Sequence, residues 1–246
     1  MIASSRIVRH NGQAVLNGAF GVCKGKEIWS KKRKKMVAVL RLIINLTCSN
    51  ALQRQIFGDV HMLPFFAQWI GLELLEEEVL LWDAEDMRCA FYVFLLPEAW
   101  WPYFALEKPV PGHVVGSKEE WVYLTVKVLP MGWLSAVGVC QYLHRQMLVA
   151  PPPLGAGLPM TAELRRDKPL PAGLDRRVRR FFEVYIDNYD SGRVANKFMG
   201  QSGTASTATS SWTTAVRQAY STWGAARAED KSVSSSLLAR DTWCQH

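Results

Sequence analysis

The segment FFEVYIDNYD, residues 181–190, holds the residue whose setting most suggests chemistry. Its aromatic and β-branched run favours a strand, and the run ends in Asp187, which is directly followed by the neutral Asn188. The shape suits two adjacent carboxylates, and this chain presents one. Taken alone, Asp187 could be an ordinary turn residue, because Asp and Asn side chains hydrogen-bond nearby backbone in turns.

A second acidic segment, WDAEDMRCAF, covers residues 82–91. It offers three carboxylates: Asp83, Glu85 and Asp86. By itself Asp86 would more often be a surface or capping carboxylate than a metal ligand, and Asp83 is its rival for any site role. These residues alone therefore leave the assignment open.

The basic run KKRKK, residues 31–35, is the densest positive charge in the chain. It could be a solvated loop or a nuclear-targeting run, and the two readings can coexist. The whole chain carries a net charge of +7 with a pI near 9.2, which favours a polyanionic partner. Nucleic acid is the leading candidate, and a generally basic surface is the alternative.

Length and composition indicate a globular protein. The chain has 246 residues, of which 49% are hydrophobic and 21% charged, so one large domain or two closely packed subdomains are expected. The five scattered cysteines form no CxxC pair, which argues against a zinc site and a disulfide framework and favours a reducing, intracellular compartment, nucleus or cytoplasm. No signal-peptide pattern and no apolar run of about 18 residues occur, so we expect a soluble protein that has no membrane partner.

Several segments predict secondary structure. Residues 18–46 predict a hairpin in which the polar, basic segment 26–35 links two strands. Residues 63–82 are mixed in period, with Pro64 as a plausible helix start and Glu76 to Glu78 as a solvated patch. A helix is predicted after the turn residues Pro130 and Gly132, with an apolar face formed by Leu134, Val137, Cys140, Leu143 and Met147.

The remainder of the chain alternates irregular and regular segments. Residues 150–177 are rich in Pro and Gly and predict an exposed insertion. The strand FFEVYI follows, and residues 200–211 form a flexible low-complexity segment. WTTAVRQAYSTWG then predicts a helix that ends at Gly224.

The order of these pieces resembles the fingers and palm of a reverse transcriptase, the polymerase region of retroelements. The resemblance rests on RLIINLTCSNAL, on Asp86 five residues before Phe91, on LPMGWLSAVGVCQ, on VYIDN and on WGAARAEDKSV. Five motifs in the family's order, over roughly residues 18–235, are more specific than any one of them.

The resemblance implies a role for particular residues. Asp86 and Asp187 would be the catalytic carboxylates and, with Asn188, would hold Mg²⁺ or Mn²⁺; Lys231 would approach the leaving pyrophosphate. Substrate contacts would come from Lys34 (with Lys35 next), Arg41, Phe91, Gly132, Gln141 and Tyr185, and Asn50 matches a downstream asparagine of the fingers motif. Phe91 would lie under the sugar and leave no room for a 2′-hydroxyl, which favours deoxynucleotides.

This chain departs from the family pattern at four places. Asn188 replaces the second Asp of the hairpin, Asn45 stands in place of Asp, Thr47 in place of Arg, and Ala136–Val137 in place of Ser–Pro. Losing one carboxylate predicts weaker Mg²⁺ binding, although an Asn carbonyl can still coordinate. Asp190 would replace the missing charge only if the turn redirected it.

The resemblance predicts an α+β fold: a right-hand polymerase palm, with a small antiparallel sheet backed by helices, and a fingers subdomain without a complete thumb. Fingers are expected at about residues 1–62 and 94–135, and palm at 63–93 and 136–246, with insertions at 150–177 and 200–211. The expected reaction is template-directed addition of deoxynucleoside triphosphates to a primer on RNA or DNA.

Two alternatives stay open: a non-catalytic nucleic-acid-binding remnant of such a domain, and an unrelated globular protein with accidental matches. A structure with Asp86 and Asp187 far apart would favour the second of these.

Overall fold

The computed structural model describes residues 2–4, 7–172, 177–197 and 209–238. The chain divides into two compact units. We call residues 1–56 and 94–136 the hairpin unit, and residues 57–93 and 137–246 the sheet unit. Both combine small antiparallel sheets with short helices, so the general α+β class that the sequence predicts is confirmed.

The elements lie in the following order. The strands are β1 (Ile2–Ser4), β2 (Arg9–His10), β3 (Gln13–Ala14), β4 (Gly18–Ser30), β5 (Lys35–Asn45), β6 (Glu78–Asp86), β7 (Ala105–Pro111), β8 (Trp121–Thr125), β9 (Arg180–Tyr185), β10 (Asn188–Asn196) and β11 (Val233–Leu238). The α-helices are α1 (Thr47–Ala51), α2 (Ala136–Val149) and α3 (Ser211–Thr222). Short 3₁₀ helices cover Val60–Met62, Phe66–Gly71, Ala90–Tyr92, Glu98–Phe104, Gly112–Val115, Met160–Ala162 and Glu229–Lys231.

The hairpin unit is dominated by the antiparallel pair β4–β5. Its register runs from Gly18 opposite Asn45 to Ser30 opposite Lys35, with a shift between Cys23 and Glu27. The predicted hairpin is confirmed, but residues 26–30, which we expected in the link, continue β4. A three-stranded sheet, β1-β8-β7, and the short pair β2–β3 complete this unit.

The sheet unit is built on a four-stranded antiparallel sheet in the order β11-β6-β10-β9. Because side chains alternate along a strand, one face carries Phe182, Val184 and Glu85. This face meets α2 through Gln141, which donates to the Val184 carbonyl at 2.8 Å, and α3 through Trp212, whose ring lies 5.9 Å from that of Phe182. On the other face, Trp69 and Trp82 pack against the buried Leu80 and Phe181.

The helix predicted after Gly132 is present as α2, but its buried face differs from the expected one. Cys140 and Met147 are buried as expected, whereas Val137 is exposed. The polar Gln141 and His144 are buried in its place. They are tolerated there because each finds hydrogen-bond partners from outside the helix.

The predicted exposed insertion at 150–177 is wrong for its central part. Leu158 and Leu164 are buried, and the Leu164 amide donates to the Phe182 carbonyl at 2.7 Å. Glu163 is held by the Arg145 guanidinium, with N–O distances of 2.5 and 2.8 Å. Residues 151–154, 159–161 and 166–169 are exposed as predicted, so the Pro and Gly content reflects an irregular segment that is only partly packed on the sheet. Residues 173–176 of this insertion, and 200–208 of the predicted low-complexity segment, lie outside the described residues.

Two further expectations at the segment boundaries can be compared with the structure. After Pro64 the chain forms only the 3₁₀ helix Phe66–Gly71, and Glu78 is not solvated, because Arg177 and Arg179 pair with it and hold its pKa at about 2. The predicted last helix is confirmed as α3. Ser210 caps it by accepting from the Thr213 amide, and Gly224 follows with φ +68°.

Within the described residues, no helix has the length and apolar character needed to cross a membrane.

Candidate active site

The turn between β9 and β10 presents Asp187 beside Asp86. Asn188 pairs with Asp86 across β10 and β6, and the Met87 amide donates to the Asp187 carbonyl at 2.8 Å. Ile186 takes the left-handed conformation, with φ +57°, to close the turn. Two carboxylates separated by 101 positions in the sequence are thus neighbours at one end of the sheet.

Lys231 is the third charged group at this end. Its Nζ donates to Asp86 Oδ2 at 2.7 Å, and the backbone brings it there because the Ala228 amide donates to the Asp86 carbonyl at 2.9 Å. The hydrogen bond to Asp86 raises the pKa of Lys231. Since the lysine side chain is 63% exposed, this ion pair is one that a stronger cation can displace at small cost.

Electrostatics at the turn favour an added positive charge. Burial, followed by the negative charge of Asp86, raises the pKa of Asp187. A divalent cation between the two carboxylates would relieve both effects.

The oxygen atoms of Asp86, Asp187 and Asn188 are of the type that Mg²⁺ and Mn²⁺ prefer, but they are few. Asp86 and Asp187 supply carboxylate oxygens and Asn188 lies beside them in the pairing register, while Mg²⁺ commonly takes one or two carboxylates and completes its shell with water and phosphate oxygens. Among the residues that the structure describes, no group of three or more His, Cys, Asp or Glu side chains is suited to a metal. A tightly caged metal site is therefore not formed by those residues.

Gln141 on α2 holds the backbone on the β9 side of the turn. It is 1% exposed; its Nε2 donates to the Val184 carbonyl at 2.8 Å and its Oε1 accepts from the Ile186 amide at 2.7 Å. Both ends of the side-chain amide are hydrogen-bonded to protein backbone, so Gln141 positions the hairpin; its contact with substrate stays a prediction.

His144, which was not among the predicted site residues, also holds the turn. Its Nδ1 lies 2.8 Å from the Ile186 carbonyl and its Nε2 lies 2.7 Å from the Tyr220 hydroxyl. A carbonyl can only accept, so Nδ1 carries the proton and Nε2 accepts from Tyr220. Burial lowers the pKa of His144 to about 4, which keeps the ring neutral. The sequence does hold one indication of this role: His144 follows Gln141 by three residues, which places both side chains on one face of the helix.

Glu85 fixes the strand that carries Asp86. Its carboxylate accepts from Arg217 at 2.5 Å, from Arg227 at 3.1 Å and from the Ser232 hydroxyl at 2.7 Å. Strand alternation turns Glu85 and Asp83 to the face opposite Asp86, and both are almost fully buried. Asp83, the rival of Asp86, therefore lies away from Asp187.

Asp190 lies one strand pair away from the turn. It pairs with Glu183 on β9 and with Ala84 on β6, and burial raises its pKa to about 7. It is paired with a second carboxyl in the sheet and does not take the place of Asn188.

The remaining predicted residues of the sheet unit flank the turn or follow β6. Tyr185 ends β9 opposite Asn188 and is 46% exposed, so it is available to a ligand. Phe91 lies half-buried in the 3₁₀ helix Ala90–Tyr92. This helix begins directly after Cys89, which has φ +58°.

In the hairpin unit, Arg41 and Lys34 are not neighbours. Arg41 is within β5 opposite Val22, whereas Lys34 is in the turn before β5, with φ +47°. At about 3.3 Å per residue, their Cα atoms are about 20 Å apart. Lys24, which follows Val22 by two residues on β4, lies nearer to Arg41 in the pairing. Lys24 was not among the predicted residues, because the sequence does not fix the register of β4 on β5.

Gly132 has a structural reason to be glycine. Its φ is +103°, and a Cβ there would lie 2.6 Å from the Ile44 carbonyl oxygen. Asn50 fastens the same turn: its Nδ2 donates to the Gly132 carbonyl at 2.9 Å and its Oδ1 accepts from the Leu134 amide at 3.1 Å. The structure thus gives both residues a role in closing the turn before α2.

The small antiparallel sheets and helices are compatible with a polymerase-like α+β fold. Among solved structures, the chain is similar to a foamy viral protease–reverse transcriptase determined in complex with double-stranded DNA, with a TM-score of 0.51 and 10% sequence identity. The similarity covers 90% of this chain and 27% of that one, so the present chain spans about a quarter of its neighbour. At this identity the likeness concerns the fold alone.

No family model matches the sequence, and no curated protein matches it.

Proposed function

We propose that this chain is the fingers and palm part of a reverse transcriptase, which extends a primer 3′-hydroxyl with deoxynucleotides on an RNA or DNA template. The observation that carries the proposal is the approach of Asp86 to Asp187, joined by the hydrogen bond from the Met87 amide to the Asp187 carbonyl. Similarity in fold to a reverse transcriptase supports it.

Asp86 and Asp187, with the Asn188 side-chain carbonyl, would hold Mg²⁺ or Mn²⁺. A bound divalent cation would supply charge stabilisation for the in-line displacement of pyrophosphate by the primer 3′-hydroxyl. Lys231, whose ammonium donates to Asp86 in this structure, would neutralise negative charge on the departing pyrophosphate. Gln141 and His144 contribute by holding the Ile186 backbone, and hence the direction of Asp187.

The remaining substrate contacts are proposed from the family resemblance. Arg41, with either Lys24 or the more distant Lys34, would neutralise the triphosphate. Phe91 and Tyr185 would contact the sugar and base of the incoming deoxynucleotide. The basic charge of the chain, +7, supports a nucleic-acid partner.

Primer extension tests this function. The parent is incubated with a primed RNA template, deoxynucleotides and Mg²⁺ or Mn²⁺, beside Asp187→Ala. The matched control is Asp167→Ala, whose carboxylate pairs with Arg165 and not with a residue of the turn. We expect Asp187→Ala to lose more than about a hundredfold in rate, more than is typical of an outer-shell partner, and the control to be unaffected. Extension that survives Asp187→Ala contradicts the site.

A second candidate function is binding of nucleic acid without turnover. Two observations favour it: Asn188 lowers the negative charge of the turn, and Lys231 already neutralises Asp86. Retention of the primed template by a parent that extends it with neither metal would support this function over the polymerase.

A further inference from the structure

An aromatic cleft in the hairpin unit stands apart from the residues assigned above. Its volume is about 440 Å³, within the range typical of small-molecule pockets. One wall is the segment after α1, with Leu52, Arg54 and Ile56, and the other is the 3₁₀ helix Glu98–Phe104, which supplies Trp100 and Tyr103. No role for this cleft follows from the proposed polymerase chemistry.

The floor of the cleft is a fixed aromatic cluster. The Trp133 ring is buried and lies edge-on to Trp100, at 5.8 Å, and to Phe104, at 5.6 Å. Its Nε1 donates to Gln53 Oε1 at 2.6 Å, which ties the floor to the wall after α1. A preformed floor of this kind lowers the ordering cost of binding.

The rim of the cleft carries groups without protein partners. Within the described part of the chain, neither the Arg54 guanidinium nor the Tyr103 hydroxyl makes a hydrogen bond or an ion pair. Leu52 and Ile56 are exposed at 39% and 42%. Arg54 is the charged residue of the lining, so the cleft combines aromatic surface with one positive charge.

We propose that this cleft binds an unpaired base of a single-stranded nucleic acid, with the base against Trp100 and Tyr103 and the adjacent phosphate at Arg54. Aromatic rings stack on any base, and a neighbouring cation attracts the backbone, which is how single strands are held without sequence preference. The inference rests on the proposed function only for the class of partner.

Binding of two oligonucleotides to the full chain tests this cleft. The probes are a fluorescein-labelled oligouridylate of about twelve nucleotides and an abasic strand of the same length and charge, and anisotropy gives each Kd in EDTA. We expect Trp100→Leu to weaken oligouridylate binding by about 5- to 150-fold and abasic binding little. Trp121→Leu, at an exposed tryptophan on β8, is the matched control and should change neither Kd.

A second variant protects the test against a loss of folding. Ala99 lies exposed at the cleft, so Ala99→Phe would fill the cleft without removing core atoms. It should also weaken oligouridylate binding selectively. Equal losses for both probes, or unchanged Kd values in both cleft variants, would overturn the proposal and leave the cleft to a different ligand, such as a protein segment.

The test of the cleft and the test of the polymerase activity have independent outcomes. Binding is measured without a divalent cation, so it does not depend on Asp86 or Asp187. Selective loss of oligouridylate binding in a chain that cannot extend a primer would support the cleft and count against the polymerase.

Discussion

Glu183→Gln should change how the stability of the protein depends on pH. Glu183 on β9 pairs with Asp190 on β10. Burial, and then the charge of Asp190, raises the pKa of Glu183 from 4.5 to about 8; burial raises that of Asp190 from 3.8 to about 7. Both carboxyls are therefore protonated in the folded chain at pH values where the unfolded chain has lost the protons.

The sign of the effect follows from proton linkage. The folded state binds more protons than the unfolded state between about pH 4 and 8, so the free energy of unfolding falls as pH rises through this window. For Glu183 the interval from 4.5 to about 8, at about 1.4 kcal/mol per unit, corresponds to roughly 5 kcal/mol as an upper figure. A neutral Gln keeps the shape, can still accept from Trp69, which hydrogen-bonds Glu183, and does not titrate.

We therefore expect Glu183→Gln to be more stable than the parent by roughly 2–4 kcal/mol at pH 8 and by less than about 1 kcal/mol at pH 5. Urea unfolding followed by tryptophan fluorescence at the two pH values measures the difference. Glu77→Gln, at an exposed glutamate of the same unit, is the control and should show neither gain. A gain that is equal at both pH values, or no gain at pH 8, would refute the burial argument.

Three other variants probe the turn, the helix and the ion pair. Burial lowers the pKa of His144 from 6.5 to about 4, so its stabilising effect is present above pH 6.5 and is lost as pH falls toward 4. The free energy of unfolding of the parent should therefore fall by roughly 2 kcal/mol between pH 6.5 and 5 because of this residue. His144→Gln should abolish that fall, as measured by urea unfolding. Gly132→Ala should cost more than about 2 kcal/mol, because a strand carbonyl oxygen lies 2.6 Å from the new Cβ, whereas Gly116→Ala, with φ +72° and nothing within 4 Å, should cost about 1 kcal/mol; thermal unfolding compares the two. Lys231→Met should tighten Mn²⁺ binding in calorimetry, because Asp86 loses its competing cation, while primer extension falls; unchanged Mn²⁺ affinity would contradict the competition.

Local pattern was a sound guide wherever the structure is local. The β4–β5 hairpin, α2, α3 and the strand before Asp187 all follow from runs or periods within a few residues. The position of Asp187 in a turn follows as well, although the turn is formed by Ile186 and Asp187 and Asn188 begins β10. The same reasoning predicted too long a link between the two strands of the hairpin. The end of β4 is set by its pairing with β5, which a local pattern does not show.

Polar residues inside the core could not be assigned from pattern. Gln141, His144 and Glu85 are buried because their partners come from distant parts of the chain. Burying a polar group is costly unless it is hydrogen-bonded, and a sequence does not state which partners will be present. The central part of the 150–177 insertion was misjudged for the same reason, since Leu164 is buried against Leu80, Val178 and Phe181, which are remote in the sequence.

The sequence by itself determined the types of residue available for chemistry, the short elements that carry them and the neutral Asn188 that distinguishes this turn. Only the tertiary structure decided which of them meet: Asp86 with Asp187 and Lys231, but not Lys34 with Arg41. The physical reason is that strand register and buried hydrogen bonds are set by contacts between remote segments, whereas turns and helices are set by neighbours in the chain.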